Sequence, residues 1–245
     1  MNHSFHMASI ALTLPTPAEN LACDEALLDE AEAHGGAGLL RCWESPAHFV
    51  VLGHGNKLAA EVKVEACRAA GVPVLRRCSG GGTVLQGPGC LNYALILPCG
   101  EAGPLATITG ANQFIMARQR DALAALLGRP VTVEGHTDLA LDGRKFSGNA
   151  QRRKRTHLLF HGCFLLGFNL ALIEQLLLPP PRQPEYRRGR EHGDFLTRLD
   201  VSGEALQGAL QRAWGASSSA PDAPCAAIAA LVAAKYGRDE WNMKR

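Results

Sequence analysis

Long apolar runs are missing from this sequence. No stretch approaches the roughly 20 residues that a membrane-spanning helix needs, so no membrane partner is expected. Charge bias is missing too: 25 Lys and Arg against 23 Asp and Glu leave a net charge of +2 over 245 residues. That excludes a strongly basic nucleic-acid binder. Aromatic residues are scarce, at 6%, and none interleaves the basic stretches, so base stacking is not expected either. C-x-x-C pairs are absent, although eight cysteines stand at 23, 42, 67, 78, 90, 99, 163 and 225. Zinc ribbons and thioredoxin-type motifs are thereby excluded. Residues 1–9 hold no Lys or Arg, and Pro15 and Pro17 break the apolar stretch that follows, so no secretory signal is expected. The cysteines are then expected to be buried thiols in a cytoplasmic setting. No repeat of 20–50 residues is visible.

What is present is an ordinary globular composition, 47% apolar. A chain of this length can bury roughly 70–75% of its unfolded surface and needs no staples. Helices are expected over 20–33, 59–70, 108–127, 171–178, 203–213 and 225–236. Strands are expected over 39–43 and 48–52 around a turn at Ser45-Pro46, and over 72–77, 91–97, 131–134 and 157–166. On a period of two, His157, Leu159, His161, Cys163 and Leu165 share one strand face. The stretch 182–198 reads as irregular, and 217–224 as linker-like. Helices and strands mix without strict βαβ alternation. That pattern implies an α+β fold, mixed sheets flanked by helices.

Two segments carry chemistry. Arg76-Arg77-Cys78-Ser79-Gly80-Gly81-Gly82-Thr83-Val84 follows a strand directly. Three glycines allow a sharp turn and close approach of backbone to a ligand. Successive N–H groups there can form an anion nest, and paired arginines add bidentate phosphate geometry. The spacing matches neither the Rossmann nor the P-loop fingerprint. The second segment is 137–149. Asp142-Gly143 between two alternating runs marks a two-residue hairpin. Alternation places Lys145, Ser147 and Asn149 on one face and Phe146 on the other.

Arg76–Val84 resembles the R-R-x-S-G-G-G-x-V signature of the lipoate–protein ligase and octanoyltransferase family, which is distantly similar to biotin–protein ligases. Asn20–Leu28, Leu91-Asn92-Tyr93, Asp138–Ala150 (DLALDGRKFSGNA) and Phe160-His161-Gly162 resemble further family segments in the same order. The resemblance implies a biotin/lipoate protein ligase-like catalytic domain. It implies that Arg77, Gly80, Gly81, Gly82, Thr83, Val84, Leu85 and Gln86 line an adenylate, with Ser79 near the acyl group. It implies that Lys145 is the catalytic lysine, contacting the acyl carbonyl and the α-phosphate, and that Asp138 lies near the nucleotide and a metal. The sequence departs from the ligase pattern at Gln86-Gly87, where His-Asp is usual; Gln86 can hydrogen-bond but cannot take a charge.

The family runs two chemistries, and both stay open. A ligase would use ATP, Mg²⁺ and lipoate, through lipoyl-AMP, to acylate a carrier-domain lysine. A transferase would take octanoyl or lipoyl from acyl carrier protein through a cysteine thioester. Cys163, two residues from His161 on the same strand face, is the thiol best placed for that. The expected partners are lipoyl-carrier domains of the 2-oxoacid dehydrogenase or glycine cleavage type. Residues 1–215 read as the catalytic domain and 216–245 as linker and C-terminal helix. An accessory domain reads as absent, so a separate accessory chain is a possible partner. The basic stretches 151–155 and 187–190 are expected to steer an acidic carrier.

Overall fold

The described residues begin with strand β1 (Met7–Ala11), followed by helix α1 (Pro17–His34). A computed structural model describes residues 7–217 and 222–244. Thr16 starts α1 with a reciprocal capping box: its hydroxyl accepts from the Glu19 N–H, the Glu19 carboxylate accepts from the Thr16 N–H, and Pro17 takes the first helical position. This cap sets the helix start three residues earlier than apolar spacing suggests. Gly35 ends it at φ 77°, a conformation that glycine adopts without penalty.

Strands β2 (Leu39–Trp43) and β3 (Phe49–Leu52) follow as expected. They do not pair with each other; β2 pairs β1 and β3 enters a second sheet. The single helix expected over 59–70 is two, α2 (Leu58–Glu61) and α3 (Val64–Ala69). Val62 between them is extended and bridges to Leu177, so the β-branched residue breaks the helix. Next come β4 (Val74–Arg76), β5 (Val84–Gln86), β6 (Cys90–Pro98) and the long α4 (Ile108–Leu127). The second half holds β7 (Thr132–Glu134), β8 (Asp138–Leu141), β9 (Arg144–Arg153), β10 (His157–Leu165), α5 (Ala171–Leu176), α6 (His192–Phe195), α7 (Gly203–Trp214), β11 (Ala216–Ser217), α8 (Cys225–Leu231) and α9 (Asp239–Asn242). A π-helical turn over Val232–Tyr236 continues α8. The stretch read as irregular contains α6, and residues 218–221 of the linker-like stretch lie outside the described residues.

Among the described residues the main sheet runs β11-β1-β2-β6-β10-β9-β8-β7, and the small one runs β4-β3-β5. Strand β10 is central, antiparallel to β6 on one side and to β9 on the other. Its period-two faces separate as expected. Leu158, Phe160 and Phe164 pack under α4 and α7. Leu159 packs towards α1 and α8, while Cys163 and Leu165 join the core of the small sheet with α5 and α6. All eight cysteines are free thiols, and only Cys225 is exposed. Among the described residues, no helix is long and apolar enough to cross a membrane.

Candidate functional site

A cavity of about 970 Å³ opens where the small sheet meets β9 and β10. The loop between β4 and β5 supplies one wall, with Arg77, Gly81, Gly82, Thr83, Val84, Leu85 and Gln86. The β8–β9 hairpin supplies the opposite wall, with Asp138 and Lys145. Ser79 and Gly80 stand behind the loop and do not line the cavity.

The paired arginines do different work. The Arg76 side chain is fully buried and points away from the cavity. Its guanidinium donates to the carbonyls of Gly53, His54, Asn56, Trp241 and Lys244. Asn242 Oδ1 accepts from the Arg76 N–H, and Trp241 Nε1 donates to the Arg76 carbonyl. Arg76 therefore ties the C-terminal segment to the base of the loop, and the expectation of a bidentate arginine pair on phosphate is corrected. Adjacent strand residues point to opposite faces, so only one of two neighbours can reach a given ligand. Arg77 is the one that faces the cavity. Its guanidinium donates to the carbonyls of Gly80 and Gly82 and to Ser79 Oγ, which fixes the curvature of the loop. Burial pulls its pKa down to about 10, which leaves it charged at neutral pH.

Two residues missed by sequence reasoning hold the loop from outside. A Cβ at Gly53 would lie 2.1 Å from the Gly81 carbonyl oxygen, so the two backbones touch there. Glu61, buried on α2, accepts from Thr83 Oγ1 at 2.6 Å and from Asn56 Nδ2 at 2.7 Å. A glycine directly after a strand is the usual sign of close backbone approach, but nothing local names its partner.

The hairpin turns as expected, with Asp142 at φ 49° and Gly143 at φ 72°, the signs a type I′ turn requires. Lys145 Nζ lies 2.7 Å from Asp138 Oδ1. The other carboxylate oxygen of Asp138 accepts from Tyr186 Oη at 2.7 Å. The glycines of these strands make room for side chains. A Cβ at Gly148 would meet Lys145 Nζ at 2.7 Å, and one at Gly162 would meet Asn149 Oδ1 at 1.9 Å. Asn149 itself accepts from Tyr93 Oη and donates to the Thr137 carbonyl, joining β6, β9 and the turn before β8 at the wall.

Cys163 is on the floor of the cavity, 6% exposed. A hydrogen bond from the Cys90 thiol pulls its pKa down. The Lys145 and Arg77 charges and a Gln86 hydrogen bond add to this, against the effect of burial, and Cys90 is pushed up in turn. Gln86 Oε1 and Asn92 Oδ1 are buried beside it without a hydrogen-bond partner among the described residues. His192 also lines the cavity, and burial, then Arg187 and Lys145, lower its pKa from 6.5 to about 4. The unfolded chain binds this proton more readily, so the stability is present above about pH 6.5 and is lost as pH falls towards 4. In thermal unfolding from pH 7 to 4, His192→Gln is expected to lose less stability than the parent, a difference of about 3 kcal/mol. Parallel curves would refute that assignment.

The basic stretches are largely engaged within the fold. Arg187 is buried, with its guanidinium on the Phe195 ring and donating to the Arg190 carbonyl. Arg190 donates to the carbonyls of Tyr186 and Gly143. Arg153 donates to the carbonyls of Leu105 and Ala106, and Lys154 pairs Asp29. Their job is to brace the hairpin and the wall, and only Arg152, Arg155 and Arg188 remain exposed.

No group of three or more His, Cys, Asp or Glu able to hold a metal occurs among the described residues. Mg²⁺ on a nucleotide needs only one or two carboxylates, with phosphate and water completing its shell. Asp138 fits that requirement as a single ligand.

Comparison with known proteins identifies the family. The model of the lipoyl protein ligase A/B catalytic domain matches residues 16–200. A putative lipoate-protein ligase A of Aeropyrum pernix is 34% identical over 166 residues, which is 67% of this chain but only 59% of that protein's length. An octanoyltransferase LipM of Geobacillus kaustophilus is 27% identical over 94% of this chain and 95% of its own. Among solved structures, the bi-partite lipoate protein ligase of Thermoplasma acidophilum, described with its E2 lipoyl domain, has a TM-score of 0.83 at 21% identity, covering 98% of this chain and 96% of that one. A lipoate-protein ligase A bound with ATP has a TM-score of 0.81 at 22% identity, covering 97% and 98%. The matched region contains both the glycine loop and the lysine hairpin, and on that ground the chain belongs to the lipoyl protein ligase A/B catalytic domain family.

Proposed function

We propose that this chain attaches lipoyl, or octanoyl, to a lysine of a lipoyl-carrier domain through an acyl-adenylate made from ATP. The observation that carries this reading is the Lys145 ammonium, held 2.7 Å from Asp138 inside a cavity bordered by a glycine loop. A fixed cation there stabilises charge that develops on the acyl carbonyl oxygen and on the α-phosphate. Arg77 shapes the loop, and Gly81–Gln86 cradle the nucleotide with backbone N–H groups. Asp138 orients Lys145 and would hold Mg²⁺, which neutralises phosphate charge when bound. Residues 1–215 act as the catalytic unit, in the cytoplasm. The carrier domain, of the 2-oxoacid dehydrogenase or glycine cleavage type, is the acceptor, with an accessory chain as a possible further partner. Adenylate formation is reversible, so lipoate-dependent exchange of labelled pyrophosphate into ATP is the direct test. Exchange that requires lipoate supports the reading; no exchange, with the acceptor still modified, refutes it.

A second reading rests on Cys163, whose thiol is held below its ordinary range on the cavity floor. Its thiolate would attack an octanoyl thioester on acyl carrier protein. The carrier thiol would leave and take up the proton, and the acyl group would pass from Cys163 to the acceptor lysine. This reading predicts an acyl group on Cys163 by peptide mass spectrometry, without ATP, and loss of transfer in Cys163→Ala. Full transfer by Cys163→Ala would remove it.

A further inference from the structure

A chain of buried polar groups runs from α1 to the back of the glycine loop, and no step described above uses it. Arg41, fully buried on β2, donates to Asp24 Oδ1 at 2.6 Å and to Asn20 Oδ1 at 2.6 Å. The other oxygen of Asp24 lies 3.0 Å from His161 Nδ1. His161 Nε2 lies 2.5 Å from Ser79 Oγ. Ser79 Oγ in turn accepts from Arg77 Nε at 3.0 Å. A carboxylate accepts only, so Nδ1 of His161 carries the proton and Nε2 accepts from the Ser79 hydroxyl. The order Ser–His–Asp is that of a nucleophilic triad. Its serine, however, is 1% exposed and turned away from the cavity, with its donor and an acceptor position already engaged. The arrangement is a tie rather than a nucleophile.

We propose that His161 is a positioning residue for the glycine loop. It transmits the orientation of Asp24, fixed by Arg41, to Ser79, and Ser79 sets the guanidinium of Arg77. Arg77 then holds the carbonyls of Gly80 and Gly82, which leaves the N–H groups of the loop free to curve round an anion. Asp24 and His161 also border the cavity, and the role assigned to His161 is to hold the loop, not to act on the reacting atoms. Its consequence for turnover rests on the reading that the loop binds the nucleotide.

Two substitutions separate the halves of the tie. A glutamine at 161 reaches as far as Nε2 and keeps the bond to Ser79. An asparagine reaches only as far as Nδ1, keeping Asp24 and dropping Ser79. In the unliganded protein, amide hydrogen exchange at His54, bonded to the Ser79 carbonyl, and at Thr83, bonded to Glu61, is expected to speed up roughly three- to tenfold in His161→Asn, the value of one lost hydrogen bond, and to stay near wild type in His161→Gln. KM for ATP should rise by a similar factor in His161→Asn with kcat within about twofold, and glutamine should restore it. Equal exchange in wild type and both variants overturns the proposal. A fall in kcat with unchanged KM also overturns it, because His161 would then act on the reacting atoms. The exchange measurement needs no substrate. If wild type shows no ATP-dependent turnover, the functional reading fails while the exchange result still decides the tie.

Discussion

Replacing Lys145 by alanine is expected to lower the rate of acyl transfer about 10²–10³-fold, the usual cost of removing a preorganised group that stabilises transition-state charge. The fold should survive. The ammonium is partly solvated, its one close partner is Asp138, and Asp138 keeps its bond from Tyr186. A partly exposed ion pair contributes on the order of 1 kcal/mol or less, so the melting temperature should move by only a few degrees. Lys145→Arg keeps the charge but spreads it over a wider planar fork, and Gly148 leaves room shaped for a slim ammonium crossing the strand. Partial activity is expected there. Single-turnover transfer to an acceptor domain, with thermal unfolding alongside, checks both. Activity of Lys145→Ala within about threefold of wild type would mean that the Lys145 ammonium is not part of the chemistry.

The second large effect is at Gly53. An alanine there would place its Cβ 2.1 Å from the Gly81 carbonyl oxygen, a backbone atom that cannot swing aside as a side chain would. The loop must recede by about 1 Å, and a displacement of that size can cost about 10²-fold in rate. The stability cost of such overpacking is typically about 1–3 kcal/mol, so the protein should still fold. Gly80 is the control within the same loop. A Cβ at Gly80 meets nothing within 4 Å, so Gly80→Ala should stay within about threefold of wild type. The contrast is not visible in the sequence, where Gly80, Gly81 and Gly82 look equivalent. Of the three, only Gly81 has a left-handed backbone, at φ 85°. Nucleotide titration and initial rates on the two variants test the point. Equal losses in both would show that the contact between turn and loop has no consequence.

The parts of the site that could be read in advance are those set by local spacing. Asp142-Gly143 dictates its own turn, and period-two alternation then places Lys145 and Phe146 on opposite faces. The alternation along His157–Leu165 likewise places His161 and Cys163 towards one side. What could not be read depends on partners far along the chain. Arg76 and Arg77 look alike until the C-terminal segment is docked, because Trp241, Asn242 and Lys244 decide that Arg76 is buried. Asp24, Glu61 and Tyr186 reach the site from α1, α2 and the turn before α6, and nothing in their neighbours announces it. The partners of β2 and β3 depend on distant strands in the same way: the turn at Ser45-Pro46 separates them, β2 pairs with β1 and β6, and β3 pairs with β4 and β5. The bare charge count of 187–190 suggests a steering surface, but nearby carbonyls and the Phe195 ring engage Arg187 and Arg190, while Arg188 stays exposed.

The most direct test of the central claim is mass spectrometry of a lipoyl-carrier domain after incubation with this protein in two arms. One arm contains ATP, Mg²⁺ and lipoate; the other contains octanoyl acyl carrier protein and no ATP. An acyl-adenylate route predicts a lipoylated lysine in the first arm, lost when ATP is omitted and lost in Lys145→Ala. Modification confined to the ATP-free arm would contradict it and pass the chemistry to Cys163, and an acceptor unmodified in both arms would contradict transfer by this chain without an accessory chain.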